Sequence, residues 1–332
     1  MDPSLVKDGS RRAHFGTTTN PYLHVDQVMT EMVMGYRPQG IIVDRVAPIV
    51  PVQKQADFYL VYDRADTLRN YNTQSRRAPG TEARKVSRQV GSGTYFAVNY
   101  ALKIPVVIED TANADAAFRQ HFLDQHGMFL TDLLYLAWEN RVAAQVTTVA
   151  NVGSGAGVSS AWTGTASNPI GNINTAINNV HYSTGYRPNK MAMGIQAWNS
   201  LRTHPDIRNI IFGTNNGGGY PSTTQVANLF DLQEILVSGM FINSANEAQA
   251  ESLSSPWADH VVVYYSGNPR AIEPTAFTSF RWAPPGLANM QVERHPFDSK
   301  TKSEEVEVGY YQDERIPGPT YAFVLRAVNS ST

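Results

Sequence analysis

The residues best able to do chemistry in this chain are its eight histidines, at positions 14, 24, 121, 126, 181, 204, 260 and 295. They are scattered and form no HExxH motif. His121 and His126 lie five apart, about 140° around a helix, so they do not share a metal ion. Gly153-Ser154-Gly155 is too short for a nucleophile elbow. Gly153, Gly155 and Gly157 lack the spacing of a dinucleotide fingerprint, and no GK[ST] follows them. Asp-rich calcium loops are also missing. Two acid–histidine groupings remain open. Asp110, Asp115 or Asp124 could pair with His121 or His126, although polar residues on a helix usually mark its wet face. Asp259-His260 beside an apolar run is the other. Neither is a catalytic signature, so the expectation is a non-enzymatic chain without catalytic, cofactor-binding or metal-binding residues.

Charge gives a stronger pattern. Residues 63–93 hold Arg64, Arg69, Arg76, Arg77, Arg84, Lys85 and Arg88 against Asp63, Asp66 and Glu82. Pro79-Gly80 marks a turn near the middle. Residues 58–62 alternate weakly as a strand, and 95–108 alternate as a returning one. Two strands around a basic tip make a long projection, and an isolated hairpin is marginal in water. Such a projection needs a neighbour to lie on. A solvated loop or a nucleic-acid finger are the competing accounts. Only Tyr71 is interleaved with the arginines, which argues against a stacking platform for bases.

Composition narrows the class. The chain has 332 residues, 42% hydrophobic, 17% charged, with a net charge of −2 and no cysteine. This is globular, without a global basic field for nucleic acid. Disulfides and thiolate metal sites are excluded. The start lacks the apolar core of a signal peptide, and no apolar run reaches a membrane-spanning length. The expectation is a soluble protein with no membrane partner.

The largest element lies within 110–149. Phe118, Phe122, Phe129, Leu130, Leu133, Leu134, Ala137, Val142 and Val146 mostly recur at steps of three, four or seven. The spacing predicts a long helix within 112–148, with a break at His126-Gly127 as one option. Before it, residues 1–40 read as an extended arm with a short helical stripe from Val25 to Val33, and 41–51 as a proline-bounded extended piece. After it, 151–167 reads as a glycine/serine-rich surface loop. From Asn168-Pro169 the chain alternates helix and strand to about 265, which predicts an α/β lobe with Val261 to Tyr265 as its best strand. A second loose loop, 213–224, interrupts it. The texture from 276 onward is strand-like, ending in residues 321–328, and a sheet of late strands needs the long helix to cover one face.

This order of parts resembles the HK97-like fold of tailed-bacteriophage major capsid proteins over nearly the whole chain. Local phrasing is similar too: ALKIPVVIED before the long helix, ENRVAAQV within it, and SNPIGNINTAINNVHYSTGYRPNKMAMG opening the lobe. The resemblance implies an α+β fold with an N-terminal arm (1–54), an extended two-stranded loop (55–105), a spine helix of a peripheral domain (106–150), an axial domain (151–270) and peripheral C-terminal strands (271–332). It also implies self-assembly into hexamers and pentamers of an icosahedral head around double-stranded DNA, within the bacterial host cytoplasm, with a portal. This sequence shows no long charged N-terminal helical region that could act as a fused scaffold, so the expectation is a separate scaffolding protein or such a segment outside this chain. A decoration protein is a further option. Lys103 and several asparagines do not match the family's Lys–Asn crosslink position by position.

In a shell the basic loop would meet acids of the next copy, and Glu304, Glu305, Glu307, Asp313 and Glu314 are the densest candidates. Each exposed pair contributes only about 0–1 kcal/mol. The charges would therefore set register while apolar and backbone contacts supply affinity. The competing classes are a ring-forming tail or adaptor protein and a hydrolase with an unrecognised active site.

Overall fold

The computed structural model describes residues 26–62, 68–113, 116–213, 219–246, 248–268 and 273–329. Its strands are β1 (Ile49–Val52), β2 (Ala56–Tyr62), β3 (Val90–Phe96), β4 (Val98–Val107), β5 (Gly155–Gly157), β6 (Lys190–Gly194), β7 (Glu234–Ser238), β8 (Ile242–Asn243), β9 (Leu253–Ser254), β10 (Val261–Tyr264), β11 (Thr278–Trp282), β12 (Gln291–Asp298), β13 (Ser303–Arg315) and β14 (Ala322–Arg326). The spine helix runs over Ala116–Val146, 31 residues, or about 46 Å. It does not break at Gly127. A Cβ there would come within 2.9 Å of the Met29 methyl on the first helix, Gln27–Gly35. The glycine lets two helices approach, so packing outweighs its poor helix propensity.

The helix divides its buried side chains between two sheets. Leu130 and Leu134, near its middle, pack on Val106, Val292, Val306, Val308 and Tyr310 of the peripheral sheet. There β13 carries β4 along one edge, with β12 and then β11 along the other, and β1 lies parallel to β11. Even-numbered β13 residues from Val306 to Glu314 face inward. Trp138, Val142, Ala143 and Val146, in the second half, pack on Ala192, Leu236, Val262, Tyr264 and Val324 of the axial sheet, ordered β5-β14-β10-β6-β7. The opposite face of that sheet, with Met191, Met193, Val261, Val263, Phe323 and Leu325, is covered by helices Pro169–Thr184, Ile195–Thr203 and Thr223–Leu229. Burial on both faces explains why β10 reads as an unbroken apolar run.

Three expectations need correction. The closing strand does not join the peripheral sheet. β14 pairs with β10 and β5 in the axial sheet, because its neighbours are selected by non-local pairing that a strand pattern does not encode. Nor do residues 95–108 form one returning strand: β3 returns along β2, and after Ala97 the chain turns into β4, which runs along β13 for ten register pairs. Finally, 151–167 is not simply a surface loop, since Val152, Val158 and Trp162 are buried and β5 pairs with β14.

Candidate assembly surface

The β2–β3 ribbon is seated at its base and bare beyond it. Its inner face presents Tyr59 and Tyr95, whose rings stack on Phe280 of β11 at 5.2 and 4.8 Å between centroids. Gly93 lies under the Tyr59 ring, where a Cβ would come within 2.3 Å of Cζ. Asp313 accepts from the Phe96 N–H at 2.8 Å and from Arg315 Nε at 2.7 Å, and Ala97 N–H donates to Gln55 O at 2.8 Å. Period-two alternation then puts Phe58, Leu60 and Phe96 on the opposite face, 68%, 62% and 53% exposed, with Val90 beside them. Large apolar side chains aligned on one face of a projecting ribbon mark a contact surface.

Beyond the ribbon, residues 72–89 are exposed throughout. Local turns shape this segment: Ser75 N–H donates to Tyr71 O at 2.8 Å, Thr81 Oγ1 donates to Ala78 O at 2.8 Å, and Lys85 pairs with Glu82 at 3.3 Å. Arg76, Arg77, Arg84, Lys85 and Arg88 are all exposed here, and Arg69 precedes them. Arg64 lies outside the described residues.

Four of the five acidic candidates are already engaged within the subunit. Glu314 is buried between the spine helix and the sheet, accepting from Arg141 Nη2 at 2.8 Å and Gln312 Nε2 at 2.9 Å. It is withdrawn as a contact for a neighbour, because its even position on β13 turns it inward. Asp313 anchors the ribbon base. On the outer face Glu305 pairs with Lys103 at 2.7 Å, and Glu307 with His295 at 2.9 Å. Glu304 is exposed. Glu293 lies directly across from Glu307, and burial, then the Glu307 charge, pushes its carboxyl up.

One triad-like grouping is visible only in the fold. Ser167 Oγ lies 3.1 Å from His204 Nε2, and His204 Nδ1 lies 3.7 Å from an Asp206 carboxylate oxygen. The hydrogens run the wrong way for nucleophilic catalysis. Asp206 N–H donates to Nδ1 at 3.3 Å, which leaves the ring hydrogen on Nε2, and the serine hydroxyl donates to Gly164 O at 2.7 Å. A catalytic histidine needs Nδ1–H on the acid and a bare Nε2 facing the serine. With Ser167 and His204 both buried, the group caps helix Pro205–Phe212. Asp259 and His260 are 3.7 Å apart, too far for a hydrogen bond. The side chains of His121, Asp110 and Asp115 lie outside what the structure describes. Among the described residues no cluster of metal-ligating side chains occurs, and no helix is long and apolar enough to cross a membrane.

Comparison with known proteins defines the class. A phage-related protein from Bordetella bronchiseptica superposes with a TM-score of 0.71 at 21% identity, covering 92% of this chain and 98% of its own. The capsid of the cyanophage P-SCSP1u superposes with a TM-score of 0.56 at 12% identity, covering 89% and 90%. The chain has the HK97-like fold of phage capsid shells, mixed α and β as expected. In sequence it is 27% identical over 253 residues to a protein named major capsid protein from Pseudomonas phage JBD67, covering 74% of this chain and 79% of that one. No protein-family model matches.

Proposed function

We propose that this chain is the major capsid protein of a tailed bacteriophage, building the icosahedral head from hexamers and pentamers of itself. The observation that carries the reading is a capsid-type fold whose longest projection has a seated inner face and a bare apolar outer face. Alone, such a ribbon is poorly supported. Against a second copy, Phe58, Leu60 and Phe96 lose water, and the basic segment finds carboxylates across the contact. After the losses inside the subunit, Glu304 is the exposed acid on β13, while Glu305 and Glu307 would have to exchange Lys103 and His295 for a neighbour's arginine. The finer parts of the reading are double-stranded DNA as cargo, a separate scaffolding protein, a portal and the option of a decoration protein, with assembly in the host cytoplasm and a final place in the virion.

Negative-stain electron microscopy and sedimentation of the purified protein, with and without its neighbouring phage genes co-expressed, test the reading. Closed shells of megadalton mass are expected. A single closed ring would favour a tail or adaptor protein. A monomer at all concentrations, even with those genes co-expressed, would refute a shell role.

A further inference from the structure

Among the described residues, Glu139 is the one polar side chain of the spine helix set into the apolar junction between that helix and the axial sheet. It is 0% exposed, in the cluster formed by Ile42, Val43, Trp138, Val142, Trp257 and Tyr264. Donors from three separate segments converge on it. Ile42 N–H reaches Oε2 at 3.0 Å, Trp257 Nε1–H reaches Oε1 at 2.9 Å, and the Ser238 hydroxyl donates to Oε1, while the Val43 N–H dipole favours the charged carboxylate. A second tie joins two of these segments directly: Gly239 N–H donates to Gly40 O at 3.2 Å. The entering chain at 40–43, the end of β7 and the loop at 257 therefore meet on one carboxylate of the spine.

We propose that Glu139 is a positioning residue that fixes the angle between the spine helix and the axial lobe, and thereby the curvature of the assembled shell. An apolar side chain would fill this cluster with less desolvation cost, and a buried carboxylate is a weak source of stability. What it supplies is direction. Apolar contacts tolerate small rotations of one lobe over another, whereas three hydrogen bonds to two oxygens do not. The amides of Ile42 and Val43, at the foot of the N-terminal arm, are registered by the same group, so the arm, the spine and the axial lobe share one frame. In a closed shell each subunit repeats its lobe angle many times, and a small looseness spreads into a range of curvatures.

The assembly half of this inference rests on the capsid reading, and the subunit half does not. In Glu139→Gln one acceptor oxygen becomes an NH₂ donor facing other donors. Hydrogen exchange on the unassembled subunit is expected to show Ile42 and Val43 amides exchanging about tenfold faster or more, the ratio for one lost hydrogen bond to a charged group. Particles are expected to lose their single diameter and form broad size classes or unclosed sheets. Ser238→Ala and Trp257→Phe each remove one donor without burying a new group. They should shift both readouts the same way, and they carry the test if Glu139→Gln is insoluble. A purely stabilising role predicts a lower melting temperature with unchanged diameters, and that result overturns the proposal. So does unchanged exchange at Ile42 and Val43. Failure of the wild-type chain to assemble would sink the capsid reading while the exchange result still decides the positioning role in the subunit.

Discussion

Replacing Phe58 and Leu60 together (Phe58→Thr, Leu60→Thr) removes the apolar face of the ribbon while leaving its seat on Phe280 intact. Threonine keeps β-propensity and faces Thr94 and Ser92 across the ribbon. The two side chains are 68% and 62% exposed in the free subunit, so most of their transfer from water takes place only on contact. Full burial of such a side chain is worth about 1.5–3 kcal/mol, so the pair contributes about 2–3 kcal/mol per contact after allowing for the carbon that threonine retains. That is about a 30- to 150-fold weaker contact. The subunit itself should lose no more than about 0.5 kcal/mol. Sedimentation across a concentration series reads the assembly threshold, and differential scanning fluorimetry reads the fold. The threshold should rise by the stated factor with the melting temperature nearly unchanged. Shells at the wild-type threshold would refute the idea that this face is buried between copies. A large fall in melting temperature would show that the face already serves its own subunit.

Reversing Arg76 and Arg77 to glutamate should block or slow shell formation with the subunit still folded, and normal empty shells in normal yield would remove these arginines from the interface. A DNA contact would instead leave shells intact and weaken DNA retention with a steep salt dependence. Arg141→Met leaves Glu314 buried without its cation, 2.8 Å from where the guanidinium was. The cost should be about 3–5 kcal/mol by chemical denaturation, and a loss under about 1 kcal/mol would contradict the burial argument. Gly127→Leu should cost about 1–3 kcal/mol by crowding Met29, whereas Gly127→Ala should be near neutral, since the Met29 methyl can swing aside and alanine favours helix. His260 is held below its ordinary pKa of 6.5 by burial, against the pull of Asp259. Its neutral form is favoured on folding, so its contribution is fully present above pH 6.5 and is lost as pH falls toward the lowered value. The melting difference between pH 7.5 and 5.5 should shrink in His260→Gln.

Legibility followed locality. The spine helix was readable because its apolar stripe repeats within one turn. The helix at Pro169–Thr184 was readable because Asn168 caps it, accepting from Gly171 N–H at 2.8 Å. The loop expected over 213–224 stops short of its predicted end, because the capping box between Ser222 and Gln225 starts a helix at Thr223. The first arginine patch was visible as composition, but the apolar face of the ribbon was not, since Phe58, Leu60 and Phe96 become one surface only when β2 and β3 pair. Glu314 shows the opposite failure. It sits in an acidic run and reads as surface, and only strand parity turns it toward Arg141. Glu139 is hidden for the same reason: nothing local announces that residues 42, 238 and 257 converge on it. In 151–167 the glycines outvoted Trp162, the residue that could have signalled an anchor.

The placement of β14 has a consequence for the timing of synthesis. This strand lies between β5 and β10, and Phe323, Val324 and Leu325 contribute to the cores on both faces of the axial sheet. Until residue 326 has left the ribosome, that sheet has a gap in its interior and β10 has an open edge. Domains generally complete as units during translation, and this lobe reaches completion later than every other described strand. Growing chains clustered on one messenger RNA therefore display ribbons and arginine loops before they have a finished body to join. The late strand acts as a check on order: the axial sheet can close only after residue 326 has been made.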